Sequence, residues 1–475
     1  MYYKRTLSII LIFTSLASGI FAQEDSLEED GKENNSQVAQ TVLVSVEDAV
    51  AHALANSSTL KSADIDLEIK KRSGNNGWNV LLPNLSATVT MARASDDSVS
   101  SKLPSGVKMN ESMHWSGITQ LSASWVFSLG YIQQIRSAKC DYEAGKLSWE
   151  QAQRDTKVNV QKLFYALLLE QESLDIQRSS LENSRQRYLQ AEKNYRNGSI
   201  PELKLLQTQV DYENAKPELS KAECDFKSRL DTFAFLIGYP VGTDIKLTGS
   251  ISPTYIDVDY ETLMANYSQN SLALQSLNKN IDIMKMNLSA MNFGTFVPSL
   301  AVNYTFSPML TNFLDADKGG YPKGDWKDLN GAFSMSLAWN LTNLLPFSSS
   351  RQKAKDLKAN IDKLELSRND LIENQKISVR KAVDTLNDAR AQIGKMDRSI
   401  ALAQRSYEMT AKSYRNGTTE LLDLNYAELQ LNQAKLGLAN QKFNYISALL
   451  DLETALNANL VINNTTETSS EKVGE

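Results

Sequence analysis

The sequence predicts an α+β membrane protein that is internally duplicated, with two strands and one long helical hairpin in each half. Three observations predict this class. Four uncharged segments alternate apolar and polar residues, two long stretches place apolar residues at every seventh position, and short motifs recur 214 to 219 positions apart. The 475 residues include only 21 Gly and 10 Pro, which favours long uninterrupted helices.

The composition excludes several function classes. Lys and Arg number 50 against 56 Asp and Glu, so the net charge of −6 gives no basic surface for nucleic acid. Two histidines (His52 and His114) and two cysteines (Cys140 and Cys224) are too few for a His/Cys metal site, and we expect no cofactor. His114 is the one candidate base for an outer-membrane hydrolase, and a general base of this kind also needs a residue that orients it, which the sequence does not identify.

The N-terminus has the features of a secretory signal peptide, predicted to span residues 1–22. Lys4 and Arg5 precede an apolar run, and small residues lead to Ala22, where we expect cleavage. A single membrane anchor is the alternative. The pattern therefore predicts a protein exported beyond the inner membrane, with an acidic flexible linker at 23–45 and a polar tail at 458–475.

Repeated motifs divide the chain into two structural repeats, predicted at residues 46–237 and 260–457, with a linker at 238–259. Trp125 and Trp339 are 214 positions apart, whereas a Tyr-Arg-Asn-Gly motif recurs at an offset of 219. The drift in offset predicts a short insertion in the second repeat, around residues 345–350. An amphipathic helical stretch opens each repeat, at 46–78 and 260–293.

Four segments alternate large apolar residues with Ser, Thr or Asn, and they predict strands at about 84–93, 117–130, 296–308 and 331–342. A sheet on a soluble core would also alternate. Aromatic residues on one face and small polar residues on the other favour lipid outside and a wet lumen inside. Four strands cannot close a barrel, and an open edge is not tolerated in lipid, so several chains must share one barrel.

After each strand pair, heptad spacing predicts a long helix that reverses at a tip and returns, with tips at 196–200 and 415–419. The residues at seven-residue intervals are Val160, Leu167, Leu174, Leu181, Tyr188 and Tyr195, then Val379, Leu386, Ile393, Ile400, Tyr407 and Tyr414. A soluble coiled-coil spacer would explain these heptads but not the four uncharged strands.

These features together resemble the TolC-like outer-membrane efflux (channel-tunnel) family over residues 46–457. The most specific element is the tip segment 414–423, followed by Ala434-Lys435, with a first copy at 195–198 and 203–216. The resemblance implies a homotrimer with a 12-stranded outer-membrane β-barrel, continued by a periplasmic α-helical coiled-coil barrel. It also implies a passive duct for efflux or type I secretion and not an enzyme. The implied partners are a periplasmic adaptor, an inner-membrane transporter of RND or ABC type, and outer-membrane lipid.

The resemblance also implies site residues. Asp423 matches the first acidic position of the family's entrance constriction, Tyr426 stands where some members have a second acid, and Glu420 lies one turn earlier. A solvated acid at a helix N-terminus is the alternative for Asp423. The second hairpin is the implied mobile one. The implied adaptor-docking tips are Tyr195, Arg196, Asn197, Gly198, Tyr414, Arg415, Asn416 and Gly417. A non-conducting tether or adhesin is the alternative function.

Overall fold

The computed structural model describes residues 41–95, 114–240, 242–267, 270–311 and 331–460. The predicted signal peptide, most of the acidic linker and most of the C-terminal tail lie outside these residues. The elements in chain order are β1 (Val42–Val44), α1 (Val46–Asn56), α2 (Ser58–Asn75), β2 (Asn84–Arg93), β3 (Trp115–Phe127), α3 (Gly130–Arg196), α4 (Glu202–Ile237), β4 (Ile245–Leu247), α5 (Tyr260–Tyr267), α6 (Leu272–Phe296), β5 (Ser299–Phe306), β6 (Met309–Thr311), β7 (Gly331–Ala338), α7 (Ser349–Arg415) and α8 (Leu421–Leu456).

The chain forms two compact units that do not follow the repeat boundary. The described part of the first, the sheet unit, comprises Gly77–Ile135 and Asn287–Lys355 with their gaps, and the helical unit takes most of the remaining residues. Each predicted repeat therefore contributes to both units. Among the described residues, no helix has the combined length and apolar character that a membrane-spanning helix needs.

The sheet unit holds an antiparallel sheet in the order β2-β3-β5-β7, and β6 adds a short pairing to β3. The register aligns the large apolar residues of neighbouring strands on one face. Leu121 lies opposite Phe306, Trp125 opposite Val302, and Leu300 opposite Leu337. The alternation in the sequence thus produces one mostly apolar face, with Thr119 opposite Val89 and Arg93 at the end of β2 as its polar members.

The opposite face of the sheet carries small hydroxyl and amide side chains. Ser86 pairs with Ser122, and their Oγ atoms are 2.6 Å apart. Ser124 lies opposite Asn303 on the next strand. The described strands leave β2 and β7 as the two edges of the sheet. Both edges carry backbone groups that a further strand can pair with.

The last strand is shorter than the predicted 331–342 segment, because β7 ends at Ala338. The Asn340 side chain accepts a hydrogen bond from the backbone of Thr342 (3.2 Å) and caps a 3₁₀ turn over Leu341–Leu344. The amphipathic stretches are also interrupted: each consists of two helices, α1 with α2 and α5 with α6. Ser57 has an extended ψ of 128°, which ends α1 before α2 begins.

The long helices of the two repeats have equal lengths. α3 and α7 each have 67 residues, and the return helices α4 and α8 each have 36. The heptad positions form the buried seams, as the sequence predicts. Val160 and Leu167 belong to one core with Phe164 and Phe233. On α7, Val379, Leu386 and Ile393 belong to a second core with Tyr445. The seams become more exposed towards the tips, where tyrosines replace the aliphatic residues.

Candidate functional site

Both helix tips use the same backbone turn. At the first tip, Gly198 N donates to Tyr195 O (2.8 Å) and Ser199 N to Asn194 O (2.8 Å). At the second, Gly417 N donates to Tyr414 O (3.0 Å) and Thr418 N to Ser413 O (3.0 Å). These paired bonds define a Schellman motif, whose glycine takes a left-handed conformation. Gly198 and Gly417 have φ values of 71° and 75°, so the turn itself favours glycine at these two positions.

The side chains at the tips are mostly exposed, and the two cationic residues have different environments. Arg196 pairs with Glu192 one turn earlier (2.7 Å). Arg415 donates instead to the carbonyl of Ala411 (3.3 Å). The two tips therefore share a backbone geometry and differ in local charge.

The predicted constriction residues lie in one stripe at the start of α8. Glu420 is the N-cap residue, and Asp423 and Tyr426 follow at three-residue spacing, all three exposed. In the same turns, Leu421 and Leu424 are buried and hold the helix in place. The structure thus brings the three residues together on one face of α8, and their role at an entrance stays a prediction.

A buried ion pair close to this stripe was not predicted from the sequence. The Arg187 guanidinium on α3 contacts Glu428 Oε2 on α8 at 2.6 Å, and the two side chains are 13% and 7% exposed. Asn183 Nδ2 donates to the other carboxylate oxygen of Glu428 at 2.9 Å. Three polar side chains therefore join the first hairpin to the return helix of the second. Arg187 and Glu428 are 241 residues apart in the sequence, so no local sequence pattern indicates that they form a pair.

A second polar contact extends this connection to α4. Asn425 Nδ2 on α8 donates to Asp211 Oδ2 on α4 (3.1 Å). Two tyrosines border the ion pair on α7: burial raises the pKa of Tyr407, and the negative charge of Glu428 raises it further. Burial likewise raises the pKa of Tyr414. We name Asn183, Arg187, Asp211, Asn425 and Glu428 the α8 clasp.

The histidines have structural environments. His52 stacks on Tyr239 with ring centroids 3.9 Å apart, and its Nδ1 is 2.8 Å from the carbonyl oxygen of Ile237. His114 is buried, with Nδ1 3.3 Å from the carbonyl oxygen of Ala94. In the part of the chain that the structure describes, no group of three or more His, Cys, Asp or Glu side chains is placed to hold a metal ion.

Residues 49–239 match the family model described as outer membrane efflux protein. A search of curated proteins returned no match.

Solved structures of several bacterial channels share the fold. The CmeC outer membrane channel of Campylobacter jejuni is 16% identical, with a TM-score of 0.72, and the alignment covers 89% of this chain and 88% of that one. VceC of Vibrio cholerae is 14% identical over 87% of this chain and 96% of that one, with a TM-score of 0.66. The open state of MtrE of Neisseria gonorrhoeae is 15% identical over 87% and 89%, with a TM-score of 0.66.

An open antiparallel sheet together with two long helical hairpins is therefore the fold that this chain shares with these bacterial outer membrane channels. The resemblance to the TolC-like outer-membrane efflux family, predicted from the tip motifs and the duplication, is confirmed.

Proposed function

We propose that this chain is the outer-membrane channel of a tripartite efflux or type I secretion system. It forms a passive homotrimeric duct from the periplasm to the exterior and is gated at its helical tips. The observation that carries the proposal is the open sheet: β2, β3, β5 and β7 have one mostly apolar face, one polar face and two strand edges, and β6 continues β5 along β3 in the same register.

The open sheet supports a shared barrel for a physical reason. Strand edges facing lipid leave backbone groups without partners, and each such group costs several kcal/mol, so spanning sheets close on themselves. Pairing of β7 in one chain with β2 in the next supplies the missing partners. Three chains then contribute twelve strands, within the size range of outer-membrane barrels. The equal helix lengths in the two halves support an internal duplication.

The start of α8 supports a cation-selective entrance. Three copies of Asp423 around a threefold axis would form a carboxylate ring, and rings of carboxylates favour cations. Glu420 and Tyr426 extend the same exposed face of the helix. Opening such an entrance moves α8, so the α8 clasp has to loosen while the buried heptad core of α7 and α8 stays packed.

The proposed system also includes a periplasmic adaptor and an inner-membrane transporter as partners of this chain. A passive duct needs a transporter to supply energy, and the exposed tip turns around Gly198 and Gly417 are the surfaces offered to a periplasmic adaptor. Their open space supports this role, because no neighbouring atom lies within 4 Å of a Cβ added at either glycine.

The test is the conductance of the purified oligomer in a planar bilayer, with the wild type compared with Asp423→Asn. We expect a small cation-selective conductance whose selectivity falls in the variant. Glu202→Gln is the matched control, because Glu202 lies in the first turn of the equivalent helix α4. Its selectivity should stay at the wild-type level.

The remaining outcomes separate the alternatives. A conducting wild type with unchanged selectivity in Asp423→Asn would remove Asp423 from the constriction and keep the channel. A silent oligomer that conducts after replacement of Arg187 by Met has a closed entrance held by the α8 clasp. A folded oligomer that stays silent in both variants is a tether, which would overturn the proposal.

A further inference from the structure

The predicted insertion in the second repeat lies in the loop between β7 and α7. In the first repeat β3 ends at Phe127 and α3 begins at Gly130, so strand and helix are almost continuous. In the second repeat ten residues separate Ala338 at the end of β7 from Ser349 at the start of α7. We name residues 340–348 the junction loop. Duplication of the first half does not account for this loop.

Hydrogen bonds give the junction loop a defined conformation. The hydroxyl of Ser348 donates to the carbonyl of Asn343 (2.9 Å), and Ser350 Oγ donates to Asn343 Oδ1 (2.9 Å). The Arg351 guanidinium donates to the carbonyl of Leu344 (3.1 Å) and lies over the ring of Phe296, 5.5 Å from its centroid. These contacts fix the conformation of the loop, and this conformation keeps the neighbouring side chains exposed.

The junction loop displays large apolar side chains in place of burying them. Phe347 is 81% exposed, and Leu341 and Leu345 are also exposed. Trp78 and Leu82, just before β2, are exposed too. The strand register puts the start of β2 and the end of β7 at the same end of the sheet. This end of the sheet unit thus has an exposed apolar belt outside the strands.

Charge next to the belt has a single sign. Residues 340–355 contain Arg351, Lys353 and Lys355 and no acidic residue, although the whole chain is acidic. Arg351 is occupied in holding the loop, whereas Lys353 and Lys355 are exposed. Apolar and aromatic side chains beside exposed lysines match the boundary between acyl chains and anionic head groups.

We propose that the junction loop is a membrane anchor for the periplasm-facing leaflet of the outer membrane. Leu345 and Phe347 insert at the level of the head groups, and Lys353 and Lys355 bind the phosphates of anionic phospholipids. The inference rests on the proposed function, because it requires the sheet to span the membrane with this end towards the periplasm.

The first experiment locates three side chains relative to lipid. In a Cys224→Ser background, an environment-sensitive NBD dye is attached to Phe347→Cys, Leu337→Cys or Leu402→Cys, and the oligomer is placed in nanodiscs of phosphatidylethanolamine and phosphatidylglycerol. Cys140 is buried and contributes little labelling. Leu337 on β7 reports whether the strands face lipid, and Leu402 on α7 is a control of matched exposure, at 71% and 72%.

We expect brominated lipid to quench the dye at positions 347 and 337, and aqueous iodide to quench it at 402. Quenching at 337 combined with iodide access at 347 would overturn the anchor and leave the channel intact. A dye at 347 shielded from both quenchers would place Phe347 in a contact between copies, which also overturns the anchor. Loss of lipid quenching at 337 would instead overturn the proposed function.

The second experiment tests the lysines. Native mass spectrometry counts the phosphatidylglycerol molecules that remain bound to the trimer after extraction. Lys353→Gln with Lys355→Gln should lower the preference for phosphatidylglycerol over phosphatidylethanolamine about tenfold, since each lysine near an anionic surface contributes to binding. Lys193→Gln with Lys412→Gln, at the exposed tips, is the control and should leave the preference unchanged. Equal preference in the wild type and the Lys353/Lys355 variant would overturn the head-group role.

Discussion

The two return helices α4 and α8 have the same length but different degrees of burial. Each has 36 residues and follows a Schellman turn, yet α8 has fourteen buried residues and α4 has four. The α8 clasp contributes to this difference. Arg187 and Glu428 correspond, at the 219-residue offset, to Ser406 and Gln209, so the ion pair is not repeated in the other hairpin. Equal backbone architecture therefore does not give the two hairpins equal partners.

The unburied face of α4 has a consistent character. Leu203, Leu206 and Val210 are all exposed and lie at helical spacing on one side of the helix. The equivalent face of α8 is also exposed, at Leu422 and Leu429, so the two helices differ in how many of their residues are buried and not in whether this face is present. In the proposed trimer these faces would pack against another copy, whereas contacts within one chain already bury more of α8 than of α4.

Removal of one partner of the buried ion pair should have the largest effect. Arg187→Met leaves the Glu428 carboxylate buried and uncompensated, which typically costs about 3–5 kcal/mol. We expect a lower unfolding temperature for the helical unit and a larger open probability in bilayer recordings. Replacement of both Arg187 and Glu428 by Met should recover most of the stability, because no unpaired charge remains. Equal stability of the single and double variants would show that the pair's charge is not what holds α8.

Substitution of the exposed apolar residues of α4 should have the next largest effect, on the stability of the oligomer. Leu203→Ser with Val210→Ser should weaken the oligomer, because burial of each such side chain contributes about 1.5–3 kcal/mol. Mass photometry across a dilution series would show dissociation at higher protein concentration than for the wild type. Lys221→Ser, an exposed polar position on the same helix, is the control. An unchanged dissociation midpoint in the double variant would place the contact between copies elsewhere.

The tip glycines should behave alike, since both have positive φ and open space around them. Gly198→Ala and Gly417→Ala should each destabilise locally by about 1–2 kcal/mol, the cost of a left-handed conformation. Hydrogen exchange at the tips would measure this local loss. Gly394→Ala is the contrasting control: this residue lies within α7, where Ala is favoured by up to about 1 kcal/mol. Unequal destabilisation at the two tips would show that the α8 clasp also affects the stability of the turn at Gly417.

Local patterns predicted much of the fold. Alternation along 331–342 indicated the face of β7, and heptads indicated the buried seams at Val160 and Val379. The offset drift indicated an insertion, but its exposed Phe347 depends on hydrogen bonds that the spacing does not specify. The Glu428 pair depends on the packing of α8 against α3, which periodicity within either helix does not determine. The resemblance implies Asp423, whereas the contacts of Asn425 and Glu428 join helices more than 200 residues apart in the sequence and follow from tertiary packing.

Removal of one partner of an exposed ion pair should have the smallest effect. This pair is the reference against which the buried pair of the α8 clasp is compared. Arg178 on α3 contacts Glu223 on α4 at 2.8 Å, and the side chains are 53% and 45% exposed. The hydrogen bond from Arg178 to Glu223 raises the pKa of the guanidinium, but water screens most of the attraction. Arg178→Met should therefore cost less than about 1 kcal/mol in thermal unfolding, and added salt should remove the difference. A loss as large as that of Arg187→Met would mean that charge within the hairpins, and not burial of the α3–α8 pair, distinguishes α8 from α4.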